Sequence, residues 1–194
     1  METKFKIIYR KKDLTRLVKA CETTGYCCYD FETNGKPIYV EDFKPTIISI
    51  SFQPGMGVSI PLEHFEAKEY CGSDYKWKKN LLYIGHRLIE NPKIIKIAQN
   101  AKFDNQIWEK YNIFYRGTLL DSMIAKYVLN ENKPHGLKEM VRRYLPDFGD
   151  YEKQDKFDKL PWDKKPLVPL CKYGCTDTDM TLRLMLFLEK KLID

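Results

Sequence analysis

The sequence predicts an α/β fold, a mixed sheet with helices packed on its faces. Three observations carry this. Short apolar runs of strand length alternate with stretches of helical period; "TIISISF" at 46–52 and "GVSIPL" at 57–62 flank the turn "QPGM"; and a strand, helix, strand order recurs across 93–117. That last order implies a parallel crossover, so antiparallel and parallel pairing are both expected in one sheet.

The first strand is "FKIIY" at 5–9, followed by a helix over about 12–22. "YCCYDF" at 26–31 is an apolar and aromatic run that ends in acids, which marks a central strand with charge at its carboxyl end. The hairpin of 46–62 completes three antiparallel strands in a meander. A helix over 74–90 ends before Pro92, and "KIIKIAQ" at 93–99 returns to strand. "KFDNQIWEKY" at 102–111 reads as helix and "IFYRG" at 113–117 as strand into turn. "LLDSMIAKYVL" and "GLKEMVRRYL" are amphipathic helices split by "NENKPHG". The proline-rich and charged segment 146–170 is expected to be a flexible loop or flap, and a last helix runs from 166 or 170 to about 190.

The chain has 194 residues, 43% of them hydrophobic and 31% charged, enough for one layered core and too apolar for disorder. A single domain over 1–194 is expected, with no polymerase domain in it and a monomer as its state. With 33 bases against 27 acids the formal charge is +6, which favours a polyanionic partner without requiring one. Six cysteines are few for a stapled scaffold; the adjacent Cys27 and Cys28 sit in an apolar run, and Cys171 and Cys175 have no histidine nearby to complete a zinc site. The expectation is a reduced, cytoplasmic chain. No apolar run approaches 18 residues and the N-terminus lacks a signal peptide's apolar core, so neither membrane nor secretion is implied.

Three acidic places remain. Asp30 and Glu32 alternate along a strand and therefore project to the same side of its end, where they either face solvent or share a hard divalent cation. Asp104 falls just inside a helix after a strand, a position that suits a capping acid as well as a site residue. Tyr173, Asp177 and Thr181 are spaced i, i+4, i+8 beside the apolar row Met180, Leu184 and Leu188, so Asp177 lies at the edge of a buried face.

Taken together, "YDFETNGK", "IAQNAKFDNQIW" and "YGCTDTDMTLRL" resemble, in order and spacing, the three exonuclease motifs of the DEDD superfamily, specifically the proofreading domain of family A DNA polymerases. "IPLEH", "LLDSMIAKYVL" and "HGLKEMVRRYL" extend the resemblance over about 5–190, and the Tyr-x-x-x-Asp form of the third motif is that of the DEDDy subgroup. A DEDDh enzyme has histidine where this chain has Lys172 and Tyr173, and His64, His86 and His135 are read as packed or surface residues.

The resemblance implies a ribonuclease H-like three-layer fold with a five-stranded mixed sheet. It implies 3′-5′ exonuclease activity on the 3′ end of single-stranded DNA, with a DNA polymerase in cis or in trans as partner. It further implies two divalent ions, Mg²⁺ or Mn²⁺, one held by Asp30, Glu32 and Asp177 and the second bridged by Asp30, with Asp104 contributing through water. Tyr173 then orients the attacking water, since a phenol of ordinary pKa is a poor base at neutral pH. Thr33, Asn100 and Lys102 are implied substrate contacts, with Arg116 and Lys172 as further basic residues near the motifs. The family's bulky apolar residue after the first motif is missing: "TNGKPIYV" offers Gly35 and Lys36, which leaves Ile38 or Tyr39 for that place.

Other classes make different demands. An RNase D-like exoribonuclease uses the same acids, and a binding module dependent on a partner keeps the fold without the turnover. A nucleotidyl transferase needs a phosphate cradle, and no Gly-rich loop of that kind is present.

Overall fold

The computed structural model describes residues 2–149 and 160–193. Its elements are β1 (Lys4–Ile7), α1 (Lys11–Thr24), β2 (Tyr26–Thr33), β3 (Pro45–Ser51), β4 (Met56–Pro61), α2 (Ala67–Cys71), α3 (Trp77–Ile84), β5 (Ile95–Ala98), α4 (Ala101–Lys110), β6 (Leu119–Asp121), α5 (Ser122–Leu129), α6 (Leu137–Tyr144) and α7 (Leu167–Ile193). Among the described residues the sheet has six strands in the order β1-β4-β3-β2-β5-β6, one more than the five expected. The meander β2-β3-β4 is antiparallel, while β1 on β4, β5 on β2 and β6 on β5 are parallel.

α1 shows how local pattern becomes packing. Leu14, Leu17, Val18 and Cys21 fall at i, i+3, i+4 and i+7 and are its buried residues. The helix stops at Gly25, whose φ of 77° continues no right-handed turn and whose N–H donates to the Cys21 carbonyl. These residues, with Leu81, Ile84, Leu88, Ile107 and Trp108, cover the sheet face from which Tyr29, Phe31, Ile48 and Ile50 project. The opposite face is covered by α5, α6 and α7 through Ala125, Met140, Leu182, Leu184 and Leu188.

Two expectations are corrected. "IFYRG" at 113–117 is not a strand; the strand is β6, formed by the first residues of the stretch read as helix. The backbone of 113–117 is engaged elsewhere. Arg116 N donates to Ile89 O, Phe114 N donates to Glu90 Oε1, and Arg116 O accepts from the Lys96 ammonium. Asp121 then ends β6 and caps α5 by accepting from Met123 N at 2.9 Å. The predicted helix over 74–90 is interrupted as well: α3 gives way to a wider π turn over Gly85–Ile89. Ile113 lies so close that a Cβ on Gly85 would stand 2.2 Å from its Cδ1.

The expected flap over 146–170 resolves in part into two short 3₁₀ turns, Pro146–Phe148 and Trp162–Lys164, and the start of α7; its residues 150–159 lie outside the described residues. No described helix is long and apolar enough to cross a membrane.

The seating of α7 positions the site. The helix lies on a strip of small residues, with Thr178 accepting from Ser51 Oγ at 3.0 Å. A Cβ on Gly57 would come within 2.5 Å of Cys175 Cβ and 2.7 Å of its carbonyl oxygen, and one on Gly174 within 2.5 Å of Ser49 Oγ. Backbone cannot yield as a side-chain tip can, so Gly57→Ala is expected to cost about 2–3 kcal/mol by overpacking. At this chain length that is a fall of roughly 4–12 °C in Tm. An unchanged thermal melt would show that α7 lifts off the sheet freely.

Candidate active site

β2 alternates across the sheet, Tyr29 and Phe31 on the α4 side and Cys28, Asp30 and Glu32 on the α7 side. Asp30 is paired with Ser49 of β3, and the register shifts between Glu32 and Thr33, which ends regular pairing just beyond the two acids. Because Ser49 lies under Gly174, the register that carries Asp30 also brings it beneath the turn of α7 that leads to Asp177. The result is a cluster: carboxylate oxygens of Asp30, Glu32 and Asp177 lie within 4.8 Å of one another. Among the described residues this is the one group of three metal-ligating side chains.

Asp104 stands just outside that trio. It is buried on α4, and its Oδ1 accepts from Phe31 N at 3.1 Å, between the two acids of β2. The turn into α4 is fixed by Asp121, whose two carboxylate oxygens accept from Asn100 N at 3.0 Å and Ala101 N at 2.8 Å. This holds Asn100 in the left-handed region at φ 59°, a conformation that asparagine tolerates better than most residues. Sequence reading did not single out Asp121, whose capping role depends on two helix ends meeting in space.

The remaining expected residues divide. Tyr173 sits one helical turn before Asp177, and its hydroxyl is hydrogen-bonded to that carboxylate. Thr33 lies at the strand end with its Oγ1 accepting from Gly35 N at 3.2 Å. Asn100 and Lys102 line a different cavity, about 540 Å³, with Leu119, Met123, Ile124 and Val128. Lys172 is held toward the N-terminus by Glu2, 3.3 Å away. Arg116 lies beside Lys96 at the amino end of β5, whereas the acids lie past its carboxyl end. The interatomic contacts thus tie Tyr173 directly to the acidic trio, and they place Arg116 away from it.

Two groups at the site escaped sequence reading. Lys165, 3% exposed, sits in the turn before α7, and its positive charge favours the ionised form of Glu32. Trp162 packs edge-on against Tyr173 with ring centroids 6.3 Å apart. Both lie in a proline-rich stretch without period, so pattern gave no reason to single them out.

The electrostatics are those of negative charge assembled away from water. Burial, and then the neighbouring Asp177, push the Asp30 carboxyl up from its ordinary 3.8 to about 8. Burial and the charges of Asp30, Asp177 and Asp104 hold Glu32 well above the usual carboxylate range, against the pull of Lys165. Asp104 is raised by burial and by Asp30, partly offset by the Phe31 N–H it accepts. Tyr173 is driven far up by burial and by the charges of Asp177 and Glu32, so it stays a phenol. Three hard oxygen donors with mutual repulsion, Glu32 and Asp177 buried and Asp30 half-buried, fit a divalent cation of the Mg²⁺ or Mn²⁺ type.

Comparison with known proteins agrees with this chemistry. The family described as 3′-5′ exonuclease matches residues 5–193. DNA polymerase I of Borreliella burgdorferi is 32% identical over 195 residues, covering 97% of this chain and 20% of that protein. The DNA polymerase of Escherichia phage T5 is 28% identical over 189 residues, covering 87% of this chain and 20% of the relative. The chain therefore spans about a fifth of the length of these relatives. Among solved structures, Brucella melitensis NrnC superimposes with a TM-score of 0.70 at 19% identity, covering all of this chain and 82% of the other. The same protein with bound Mg²⁺ gives a TM-score of 0.64. RNase D of Trypanosoma brucei gives 0.66 at 12% identity, covering 95% of this chain and 64% of that one. At these identities the likeness establishes the fold, a ribonuclease H-like α/β sheet with helices on both faces.

Proposed function

The chain belongs to the 3′-5′ exonuclease family, and we propose that it removes nucleotides one at a time from the 3′ end of single-stranded DNA. The observation that carries this reading is the convergence of Asp30, Glu32 and Asp177, from β2 and α7, on one point. In this reading the chain is a DEDDy-type enzyme: Asp30, Glu32 and Asp177 would hold one divalent ion, and Asp104 with Asp30 would hold a second. Bound there, the ions would supply positive charge at the phosphate and lower the pKa of water.

The chain's own residues do the rest. The Tyr173 hydroxyl, a phenol throughout the working pH range, donates its proton to Asp177 and accepts from the attacking water, which fixes the water's line of approach. Water adds to phosphorus and gives up a proton to solvent, the bond to the 3′ oxygen of the preceding nucleotide breaks, that oxygen takes up a proton from solvent, and a 5′-mononucleotide leaves. Asp104, tied to the Phe31 N–H, keeps the second carboxylate pair aligned. Thr33, Asn100 and Lys102 serve the substrate strand, Asn100 and Lys102 from the α4 side where they line a cavity of about 540 Å³.

DNA as the substrate is supported by the relatives, which are DNA polymerases. Proofreading for a polymerase, in the same polypeptide or a separate one, follows as the natural role. The four carboxylates do not themselves read a 2′-hydroxyl, so RNA is the substrate to test beside DNA. With 5′-labelled single-stranded DNA and a matching RNA in Mg²⁺, the wild type is expected to give a ladder shortening from the 3′ end of DNA, with RNA slower. RNA shortened faster than DNA would move the assignment to RNA trimming. No shortening of either, by folded protein in Mg²⁺ or Mn²⁺, would overturn the enzymatic reading.

A further inference from the structure

We propose that the outer face of α1 and α3 is a docking surface for double-stranded nucleic acid, which it grips by the phosphates. The charge of the chain is concentrated there. Residues 10–24 and 76–90 hold nine lysines and arginines against three acids, an excess of six that equals the formal charge of the whole chain. The remaining residues are therefore balanced, and the basic character of the protein belongs to this one face.

The two segments form a single surface. Asn80 Nδ2 donates to Tyr9 O at 2.8 Å, Thr15 Oγ1 lies 3.1 Å from the Tyr83 hydroxyl, and Arg87 reaches Glu22 at 3.3 Å. α1 and α3, with the π turn that continues it, thus lie side by side and run in the same direction. Lys12, Arg16 and Lys19 follow at i, i+4 and i+7 along α1, exposed on the side away from buried Leu14, Val18 and Cys21. Lys76, Lys78 and Lys79 are exposed at the start of α3. The three acids are already engaged, Asp13 by Lys6 and Arg16, Glu22 by Arg87 and Glu90 by His86. Lys11, Lys12, Lys19, Lys76, Lys78 and Lys79 have no acid partner among the described residues, so their charge is available to a ligand.

Position and chemistry together select that ligand. These helices cover the sheet face from which Tyr29 and Phe31 project, whereas Asp177 stands on α7 over the opposite face, so the sheet separates the lysines from the acidic cluster. The scissile phosphate lies elsewhere. A single strand is held by cations together with exposed aromatic rings on which its bases stack. None of the exposed large hydrophobic side chains falls within 10–24 or 76–90. A duplex hides its base faces and presents about one charge per 1.7 Å of axis, or about twelve phosphates along the roughly 21 Å of α1. A surface of lysines without rings matches that ligand and holds it without reading its sequence. The face would then hold the paired stretch behind a 3′ end, a role that rests on the exonuclease reading above, although the binding itself does not.

The test is binding in chelator, where no metal is present to support hydrolysis. Fluorescence anisotropy of a labelled blunt duplex of about 20 base pairs is expected to show wild-type affinity falling with salt, with a log–log slope of about −3 to −5. Lys12→Gln, Lys19→Gln and Lys79→Gln combined should cut duplex affinity about tenfold or more at low salt and reduce the slope by about 2 to 3. The three side chains are exposed, so the thermal melt of this variant should match the wild type. A control with the same charge change elsewhere, Lys133→Gln, Lys190→Gln and Lys191→Gln, should bind the duplex as the wild type does. Equal losses in the two triple variants would reduce the effect to net charge, and an equal loss on a single strand of the same length would mean that any phosphate chain is accepted. Either result overturns the duplex face, as does a duplex affinity that the first triple variant leaves unchanged. No bond is broken in this assay, so its outcome is separate from whether the wild type shortens a 3′ end in Mg²⁺.

Discussion

Asp177→Ala is expected to abolish 3′-end hydrolysis, a loss of about 10³-fold or more, equivalent to about 4 kcal/mol of transition-state stabilisation. The reason is positional. Asp177 is the one member of the acidic trio that comes from α7, so its removal opens the cluster on the side where β2 has nothing to substitute. Tyr173→Phe is expected to act differently, lowering kcat by about 10- to 100-fold and leaving a measurable residual rate, because in the proposed mechanism its hydroxyl would orient water and contribute less than a charge that would hold the metal. Single-turnover rates on 5′-labelled DNA separate the two. The loss in Asp177→Ala should come without unfolding, since removing one of several repelling carboxylates relieves strain in the metal-free protein. Equal rates in both variants and the wild type would sink the assigned roles.

The second large effect is the coupling of stability, pH and metal. An acid whose pKa is raised in the folded state keeps protons that the unfolded chain has already lost. Folding is then less favourable wherever the pH exceeds the unfolded value. For Asp30 the window runs from its ordinary 3.8 to about 8: its contribution is fully present below that lower value and is lost as pH rises through the window. Glu32 and Asp104 shift in the same direction. In chelator the melting temperature is thus expected to fall between about pH 5 and pH 8. Millimolar Mg²⁺ or Mn²⁺ should raise it more at pH 8 than at pH 5, because the ion binds the deprotonated carboxylates. Asp30→Asn should flatten the slope and reduce the metal-induced shift. A melting temperature that ignores both pH and metal in the wild type would show that the cluster holds no ion.

Much of this was legible in one dimension. The period of α1, the turn "QPGM" and the acids of "YDFET" follow from side-chain direction and turn chemistry that act within a few residues. The helical spacing of Tyr173 and Asp177 likewise carries through unchanged into α7. Where sequence reading failed, the cause was a distant partner. Residues 113–117 have strand propensity, yet Ile89, Glu90 and Lys96 take their backbone groups, so the strand forms at 119–121 instead. β1 pairs with β4 across about 50 residues of intervening chain, a register that local pattern does not contain.

The candidate site divides the same way. Sequence alone determined which residues are acidic, on which kind of element each stands, and that they recur in the order of an exonuclease. Tertiary structure decided which of them meet. Asp177 reaches Asp30 and Glu32 only because Gly57 and Gly174 let α7 approach the sheet more closely than any Cβ would allow. It also brought Trp162 and Lys165 to the cluster, where Gly35 leaves room for an indole. Charge, period and turn chemistry are written residue by residue, whereas close approach depends on the volume that side chains distant in sequence leave empty.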